Sequence, residues 1–248
     1  MIQNNYKHNN DLFFKKGYFI IRNVIKKNII KKILVEIYKA KNTVKYTDSK
    51  GNLRRIEKLY DKGKTLNDLN SKILLILKRV FGEKFVIFKD KFNAKPPGGD
   101  GFYAHFDGIF KFTNKKNKQK NGWYEYTDFF VNALVALDEC NKRNGSIELS
   151  NFHKGSFEDL LKKTKADGTP ALNSKTLKKI KFNLINLKEG DMVFFSNRCP
   201  HQSKKNNTND SRRILYYTYT KLEDKSKYLQ YYRDKMRSKN KLKALEKK

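Results

Sequence analysis

The sequence has few cysteines and few prolines, and it lacks long apolar runs. Its 248 residues include only two cysteines, Cys140 and Cys199, which excludes a disulfide scaffold and a zinc site built from cysteines. The four prolines and 13 glycines are not gathered into a linker. No apolar run approaches the roughly 18 to 20 residues that a membrane span needs. The N-terminal segment also lacks the apolar core of a signal peptide, so we expect a cytoplasmic protein.

Acidic residues are scarce relative to basic ones. The chain carries 56 Lys and Arg against 25 Asp and Glu, which gives a formal net charge of +31. Of the basic residues, 46 are lysines and 10 are arginines, whereas proteins that read nucleic acid favour the bidentate contacts of arginine. An A+T-rich genome produces the same lysine-rich composition without any binding role. The charge therefore leaves two interpretations open, an anionic partner or codon bias.

Hydrophobic periodicity predicts helices around a β-rich core. We expect a strand at 17–24, helices at 27–40 and 66–81, and a polar surface loop between these helices. Later in the chain, short aromatic and β-branched runs separated by turn residues predict several strands. These runs are 85–92, 129–137, 146–149, 181–187, 192–195 and 214–219. The pattern predicts a mainly β protein with flanking helices, of the sandwich or barrel type.

The same pattern predicts one main domain. We assign residues 1–220 to a single domain and residues 221–248 to a basic, solvated helical tail. Residues 111–121 are polar and lysine-rich and are predicted to form a loop. We expect most of the excess positive charge to lie in loops, helices and the tail, away from the strands.

Two of the four histidines lie in a setting that suits a metal ion. His105 and Asp107 are two residues apart, so on a strand their side chains point to the same face. His201 follows another predicted strand that could bring it opposite this pair. Two histidines and one carboxylate form the facial triad of non-haem Fe(II) oxygenases, which leaves open coordination positions. A His-x-Asp pair alone is weak evidence, because such spacings often arise by chance.

An arginine after the last histidine strengthens the interpretation. Arg212 begins an aromatic strand, where a charged guanidinium normally points to solvent unless it holds an anion. Beside a metal site it suits a dicarboxylate such as 2-oxoglutarate. Arg213 faces the other side of the strand, so only one of the two arginines can serve.

Taken together, these motifs resemble a known family. The segments Asn-Ala-Lys-Pro-Pro-Gly at 93–98, Phe-Tyr-Ala-His-Phe-Asp at 102–107 and Gly-Asp-Met-Val-Phe-Phe at 190–195 are similar in order and spacing to those of phytanoyl-CoA dioxygenase-like (PhyH-type) Fe(II)/2-oxoglutarate-dependent oxygenases. That family includes ectoine hydroxylase. The resemblance runs from about residue 17 to 219, and it implies a double-stranded β-helix, a jelly-roll or cupin-type barrel.

The resemblance also implies roles for individual residues. The iron ligands fall on His105, Asp107 and His201. Arg212 and Ser203 fall on residues that hold the far carboxylate of 2-oxoglutarate, and Asn93 and Phe102 match positions that contact this cosubstrate.

The implied activity is hydroxylation of a C–H bond in a small molecule. Fe(II) is bound as the cofactor, 2-oxoglutarate and O2 are consumed as cosubstrates, and succinate and CO2 are released. The positive charge favours an anionic substrate. The alternative is a basic protein of the same fold that binds nucleic acid or an anionic surface without catalysis, which predicts strongly salt-dependent association. No nucleic-acid-binding motif supports this alternative. The oligomeric state is not predicted.

Overall fold

The computed structural model describes residues 5–114 and 116–237. The two long predicted helices are present, with boundaries close to those expected from the apolar spacing. No helix in these residues combines the length and apolar character that a membrane crossing requires. In chain order the α-helices are α1 (Tyr6–Lys16), α2 (Lys27–Lys39), α3 (Lys64–Phe81), α4 (Phe157–Leu161), α5 (Ser174–Leu177) and α6 (Tyr228–Arg237).

The strands include all those predicted, some shorter and some longer. In chain order they are β1 (Tyr18–Ile21), β2 (Val44–Thr47), β3 (Leu53–Glu57), β4 (Phe85–Lys95), β5 (Phe102–His105), β6 (Phe112–Thr113), β7 (Gln119–Lys120), β8 (Val131–Ala136), β9 (Ile147–Leu149), β10 (Asn183–Leu184), β11 (Met192–Ser196), β12 (His201–Ser203) and β13 (Arg212–Lys221).

Eleven of these strands form two antiparallel sheets that pack against each other, and β6 and β7 form a separate hairpin. The large sheet has the order β1-β11-β8-β13-β4-β3-β2, and the small sheet has the order β10-β9-β12-β5. Leu134 and Ile214 of the large sheet share one buried cluster with Ile147 and Leu149 of the small sheet. The other face of the large sheet packs against helices through Leu215 and its neighbours. The mainly β class with flanking helices is therefore confirmed.

Alternation along the strands gives the large sheet an inner face toward the small sheet and an outer face toward the helices. On β13, Ile214 points inward and Leu215 points outward. Residues that are paired across neighbouring strands share a face. Asn93 is paired with Ile214, so it belongs to the inner face of β4. Whatever chemistry the sheet supports must come from these inward positions.

Two segments differ from the sequence-based expectation. The predicted loop between α2 and α3 contains β2 and β3, which extend the large sheet at one edge. Its charged and polar residues hid the period of two. The polar insertion at 111–121 contains the short β6–β7 hairpin, and Lys115 within it lies outside the described residues.

The C-terminal helix is present, with one face exposed and the other face buried against the protein. Tyr228, Tyr231 and Tyr232 of α6 are buried. The hydroxyls of Tyr228 and Tyr232 donate to the carboxylate of Asp90 on the outer face of β4. These contacts tie the helix to the large sheet. Residues 238–248 of the predicted tail lie outside the described part of the chain.

Candidate metal centre and cosubstrate site

The three predicted metal ligands meet between the two sheets. His105 ends β5 and His201 begins β12, and the two residues are paired across these antiparallel strands. The carboxylate oxygens of Asp107 lie 3.9 Å from His105 Nε2 and 3.7 Å from His201 Nε2. One donor atom from each residue lies within 4.8 Å of the others, and all three side chains are buried. Atoms this close can converge on one ion with bonds of about 2 Å.

The local backbone fixes which ring nitrogen of each histidine faces the centre. His105 Nδ1 lies 2.8 Å from the carbonyl oxygen of Tyr103, and His201 Nδ1 lies 3.1 Å from that of Cys199. A carbonyl oxygen only accepts hydrogen bonds, so both Nδ1 atoms carry the hydrogen. Each Nε2 is left with a lone pair directed at the other ligands, the tautomer that metal binding requires.

Asp107 is oriented by a residue that the sequence analysis missed. Asn132 Nδ2 donates to Asp107 Oδ2 at 3.1 Å, and the Thr218 hydroxyl donates to Asn132 Oδ1 at 2.7 Å. Asn132 is 2% exposed and lies on the inner face of β8. Its signal in the sequence is a single amide within the otherwise apolar segment Val-Asn-Ala-Leu-Val-Ala.

Burial and nearby charges set the protonation states that a metal needs. Burial, followed by the neighbouring His201, lowers the pKa of His105 to about 3, and burial also lowers the pKa of His201. Burial alone raises the pKa of Asp107, but His201 and Lys91 outweigh it and hold that pKa well below its usual range. The cluster therefore presents two neutral imidazoles and one carboxylate near pH 7.

Arg212 points inward at the start of β13, as predicted. It is 3% exposed, and its Nη2 donates to the carbonyl oxygen of Gly145 at 3.1 Å. Its Nε is buried without an acceptor among the described residues. Arg213 points to the other side of the strand and pairs with Asp138 at 2.6 Å. Of these two arginines, Arg212 is therefore the one available to hold an anion between the sheets.

Ser203 lies beside this arginine and is held by Lys95, a second residue that the sequence analysis missed. Lys95 Nζ donates to Ser203 Oγ at 2.8 Å, to Gly145 O at 3.1 Å and to the carbonyl oxygen of Lys204. The backbone N–H of Phe102 donates to Ser203 Oγ at 3.3 Å. These two donors occupy both lone pairs of the Ser203 hydroxyl, so its hydrogen is left to donate to a bound group.

The charge of Lys95 depends on this crowded setting. Burial, followed by the neighbouring Arg212 and Arg54, lowers the pKa of Lys95 to about 6. A carboxylate placed beside Arg212 and Ser203 would favour the charged form of Lys95 instead, because an opposite charge stabilises an ammonium group. The site is therefore electrostatically prepared for an anion.

Gly145 supplies a carbonyl that both cations use, and no other residue fits its position. Its φ is +69°, and an added Cβ would lie 2.2 Å from Lys204 O and 2.8 Å from Lys95 Nζ. A side chain would strain the turn and displace the lysine amino group.

The two remaining predicted contacts, Asn93 and Phe102, lie in the same region. Asn93 is on the inner face of β4, two residues before Lys95, and its Oδ1 is buried without a partner among the described residues. Phe102 is the first residue of β5, and the centroid of its ring is 6.0 Å from Lys95 Nζ. The structure thus brings Asn93, Phe102, Ser203 and Arg212 into one region around Lys95, and their cosubstrate roles stay predictions.

The residues present fit a non-haem iron site with a carboxylate cosubstrate. Two free imidazole lone pairs and a carboxylate form the donor set that Fe(II) takes in a facial triad. The unpaired Nε of Arg212 and the spare hydrogen of Ser203 are donors for a carboxylate. Both sets are buried between the sheets, where charge-assisted hydrogen bonds are strong.

Comparison with curated proteins gives relatives that act on phosphonates. The chain is 31% identical over 160 residues to 2-aminoethylphosphonate dioxygenase of uncultured bacterium HF130_AEPn_1, covering 64% of this chain and 55% of that protein. It is 28% identical over 160 residues to methylphosphonate hydroxylase of Gimesia maris, covering 64% and 54%. The chain thus spans little more than half the length of these relatives.

Solved structures share the fold. Ectoine hydroxylase EctD from S. alaskensis superposes with a TM-score of 0.66 at 15% identity, covering 88% of this chain and 77% of that one. The alpha ketoglutarate dependent epimerase SnoN of nogalamycin biosynthesis gives 0.65 at 17% identity, covering 87% and 82%. These neighbours are double-stranded β-helix proteins, so the predicted fold is confirmed. Residues 13–214 match the family model for phytanoyl-CoA dioxygenase (PhyH), and the chain belongs to that family.

Proposed function

We propose that this protein is a non-haem Fe(II)- and 2-oxoglutarate-dependent dioxygenase that hydroxylates a C–H bond of a small anionic molecule. The reaction converts substrate, 2-oxoglutarate and O2 to hydroxylated substrate, succinate and CO2. The observation that carries the proposal is the buried cluster of His105, Asp107 and His201, with both Nε2 lone pairs turned toward the carboxylate. Membership of the PhyH family supports it.

In this proposal the three ligands hold the metal and leave positions open for cosubstrate and O2. When bound, iron supplies the oxidising chemistry that C–H cleavage needs. Asn132 and Thr218 keep the Asp107 carboxylate oriented toward the ion.

The far carboxylate of 2-oxoglutarate is held by Arg212 and Ser203 in this proposal. The guanidinium supplies a permanent positive charge and an unpaired Nε, and the serine donates the one hydrogen that its other contacts leave available. Lys95 positions that serine and adds a second positive charge. Because these donors are fixed before the cosubstrate arrives, little ordering is needed on binding.

The anionic substrate rests on two observations. The two relatives described above are named for phosphonates, which are anions. Lysines also lie on the inner face of the large sheet, where a substrate close to the metal would meet them.

Succinate formation from 2-oxoglutarate, with Fe(II) and O2 supplied, tests this function. His105→Ala and Asp107→Ala should abolish it, because two ligands hold the ion poorly. Arg212→Met should raise KM for 2-oxoglutarate by about tenfold to hundredfold, the effect of one charge-assisted hydrogen bond. Arg213→Met is the matched control and should leave KM unchanged, since it removes the same charge from the outward side of the strand. Succinate production at the wild-type rate by His105→Ala would rule out the metal assignment.

A further inference from the structure

The inner face of β4 carries positive charge at alternating positions. Lys89, Lys91 and Lys95 point inward, whereas Phe88 and Phe92, which are next to Lys89 and Lys91 in the sequence, belong to the apolar cluster on the helix side. Lys95 is committed to three oxygen acceptors near Arg212. The other two lysines have no such assignment. They form a second group of cations within the same space between the sheets.

Neither of these two ammonium groups has a hydrogen-bond acceptor within residues 5–114 and 116–237. Lys89 is 9% exposed, and its Nζ lies 4.8 Å from the centroid of the Trp123 ring and 5.6 Å from that of Tyr231. Lys91 Nζ lies 4.6 Å from the centroid of Tyr216. Aromatic faces attract cations but offset only part of the cost of burying one. An ammonium held in this way is ready for an anion.

The nearby carboxylates are already used. Glu57 accepts from Lys235 Nζ at 2.7 Å and lies 3.8 Å from Arg55, and Asp107 belongs to the metal centre. Arg55 also keeps a buried Nε without a partner in the described chain. Burial is the main cause that lowers the pKa of both lysines, to about 7 for Lys91. The positive charge here therefore exceeds the negative charge available to compensate it.

This second group lies at the metal end of the large sheet. Lys89 is paired with Thr218, Thr218 is paired with Asn132, and Asn132 donates to Asp107. One row of inner-face residues thus links Lys89 to the metal centre. A ligand bound at this end would be held close to the ion.

The cosubstrate anchor lies farther along the same strand. Lys91 and Lys95 are four residues apart, which is about 13 Å at 3.3 Å per residue. Arg212 is paired with Lys95 and lies at that far end. The far carboxylate of 2-oxoglutarate, held at the Arg212 end, therefore leaves the first two lysines unoccupied.

We infer that Lys89 and Lys91, with Arg55 beside them, bind the anionic group of the substrate, and that this group is a phosphoryl dianion carried by a phosphonate or a phosphate ester. The inference rests on the proposed function and specifies the substrate class for the same site. A phosphoryl group offers three oxygens and two negative charges to three cations, whereas a single carboxylate would leave part of the buried charge uncompensated. Lysine is well suited to phosphate as a point charge.

The test is calorimetric binding to the anaerobic Fe(II)–2-oxoglutarate protein, which separates affinity from turnover. The probes are methylphosphonate, methyl phosphate and the monoanion methanesulfonate. We expect at least one of the first two to bind more tightly than methanesulfonate, and their ranking distinguishes a phosphonate from a phosphate-ester substrate. Lys89→Met and Lys91→Met should each weaken that binding by about tenfold to hundredfold.

Matched measurements keep the result interpretable. Lys45→Met removes one exposed lysine from β2 of the same sheet and should leave affinity for the phosphoryl probe unchanged. Lys89→Arg keeps the charge and should retain most of the binding, and the melting temperature of every variant reports whether it is folded. The affinity for 2-oxoglutarate should stay within about twofold in the methionine variants, since its far carboxylate binds elsewhere.

Several results would overturn the inference. These are failure of both phosphoryl probes to bind the wild-type protein, unchanged affinity in both methionine variants, or an equal loss of affinity for 2-oxoglutarate. If the phosphoryl probe binds through the two lysines but 2-oxoglutarate is never converted to succinate, the proposed function fails and the anion site stands.

Discussion

Replacing Asn132 with leucine should weaken metal binding without removing any ligand. Asn132 is 2% exposed, and its amide donates to Asp107 Oδ2 at 3.1 Å while accepting from Thr218 at 2.7 Å. Leucine has the same number of side-chain heavy atoms and the same branching at Cγ, so the main loss is the hydrogen bond that orients the carboxylate. Losses of this kind typically cost about tenfold to hundredfold in metal affinity, or about 1.4 to 2.8 kcal/mol.

Anaerobic titration of the metal-free protein with Fe(II) against a competing chelator measures this affinity. Thr218→Val provides a graded comparison, because Asn132 remains but loses the donor that fixes its orientation, and its effect should be smaller. Asn70→Leu is the matched control: Asn70 is also buried and accepts from Tyr219 at 2.8 Å, but it lies on the helix side of the sheet. It should lower stability and leave the metal affinity unchanged.

Two results would refute this reasoning. One is wild-type Fe(II) affinity in Asn132→Leu, which would mean that the ligand geometry is fixed without the amide. The other is an equal loss of affinity in Asn70→Leu, which would show that general destabilisation, and not the contact to Asp107, weakens binding.

Three further predictions concern the inner face of the large sheet. Gly145→Ala should lower the affinity for 2-oxoglutarate at least tenfold, because the added Cβ would clash with Lys204 O and Lys95 Nζ. An unchanged affinity in calorimetry would contradict the role given to the Gly145 carbonyl. The pKa of Lys95 is about 6 without an anion, and a bound carboxylate favours the ammonium form. Binding of 2-oxoglutarate above pH 6 should therefore take up a proton, and its affinity should fall by up to about tenfold for each unit that the pH rises. Calorimetry in two buffers of different ionisation enthalpy measures the proton uptake. An affinity that does not change between pH 6 and 8 would refute the prediction. Lys89→Met should raise Tm of the ligand-free protein by about 2 to 4 °C, because removing a buried charge that stabilises the fold by ~1 kcal/mol less than an apolar side chain gives a shift of this size in a domain of this length. A lower Tm in thermal denaturation would mean that the lysine is structural.

The candidate metal ligands could be picked out from the sequence because their signal is local. His105 and Asp107 are two residues apart on one strand, and the motif context placed His201 with them. Alternation along a strand sends neighbours to opposite sides, so the sequence indicated that only one of Arg212 and Arg213 would face inward, and the family resemblance pointed to Arg212.

The residues that orient these groups were not predicted. Asn132 acts on Asp107 across 25 residues of sequence, and Lys95 reaches Ser203 across 108. Neither spacing follows a local period, so only the pairing of the strands brings these groups together. Asn132 had a faint signal, a single amide within an otherwise apolar strand, whereas Lys95 is one of several charged residues on β4 and does not stand out.

The distribution of charge shows where sequence and structure divide. The sequence by itself determined the amount of charge, the alternation along each strand and the pairing of His105 with Asp107 as candidate metal ligands, because these depend on composition and on neighbours within a few residues. The expectation was that most of the excess positive charge lies in loops, helices and the tail, and Lys89, Lys91 and Lys95 are exceptions on an inner strand face. Only the tertiary structure decided the surroundings of these three lysines, because a lysine's partners depend on which strands lie opposite it. Here those strands supply aromatic rings and a candidate metal centre in place of water.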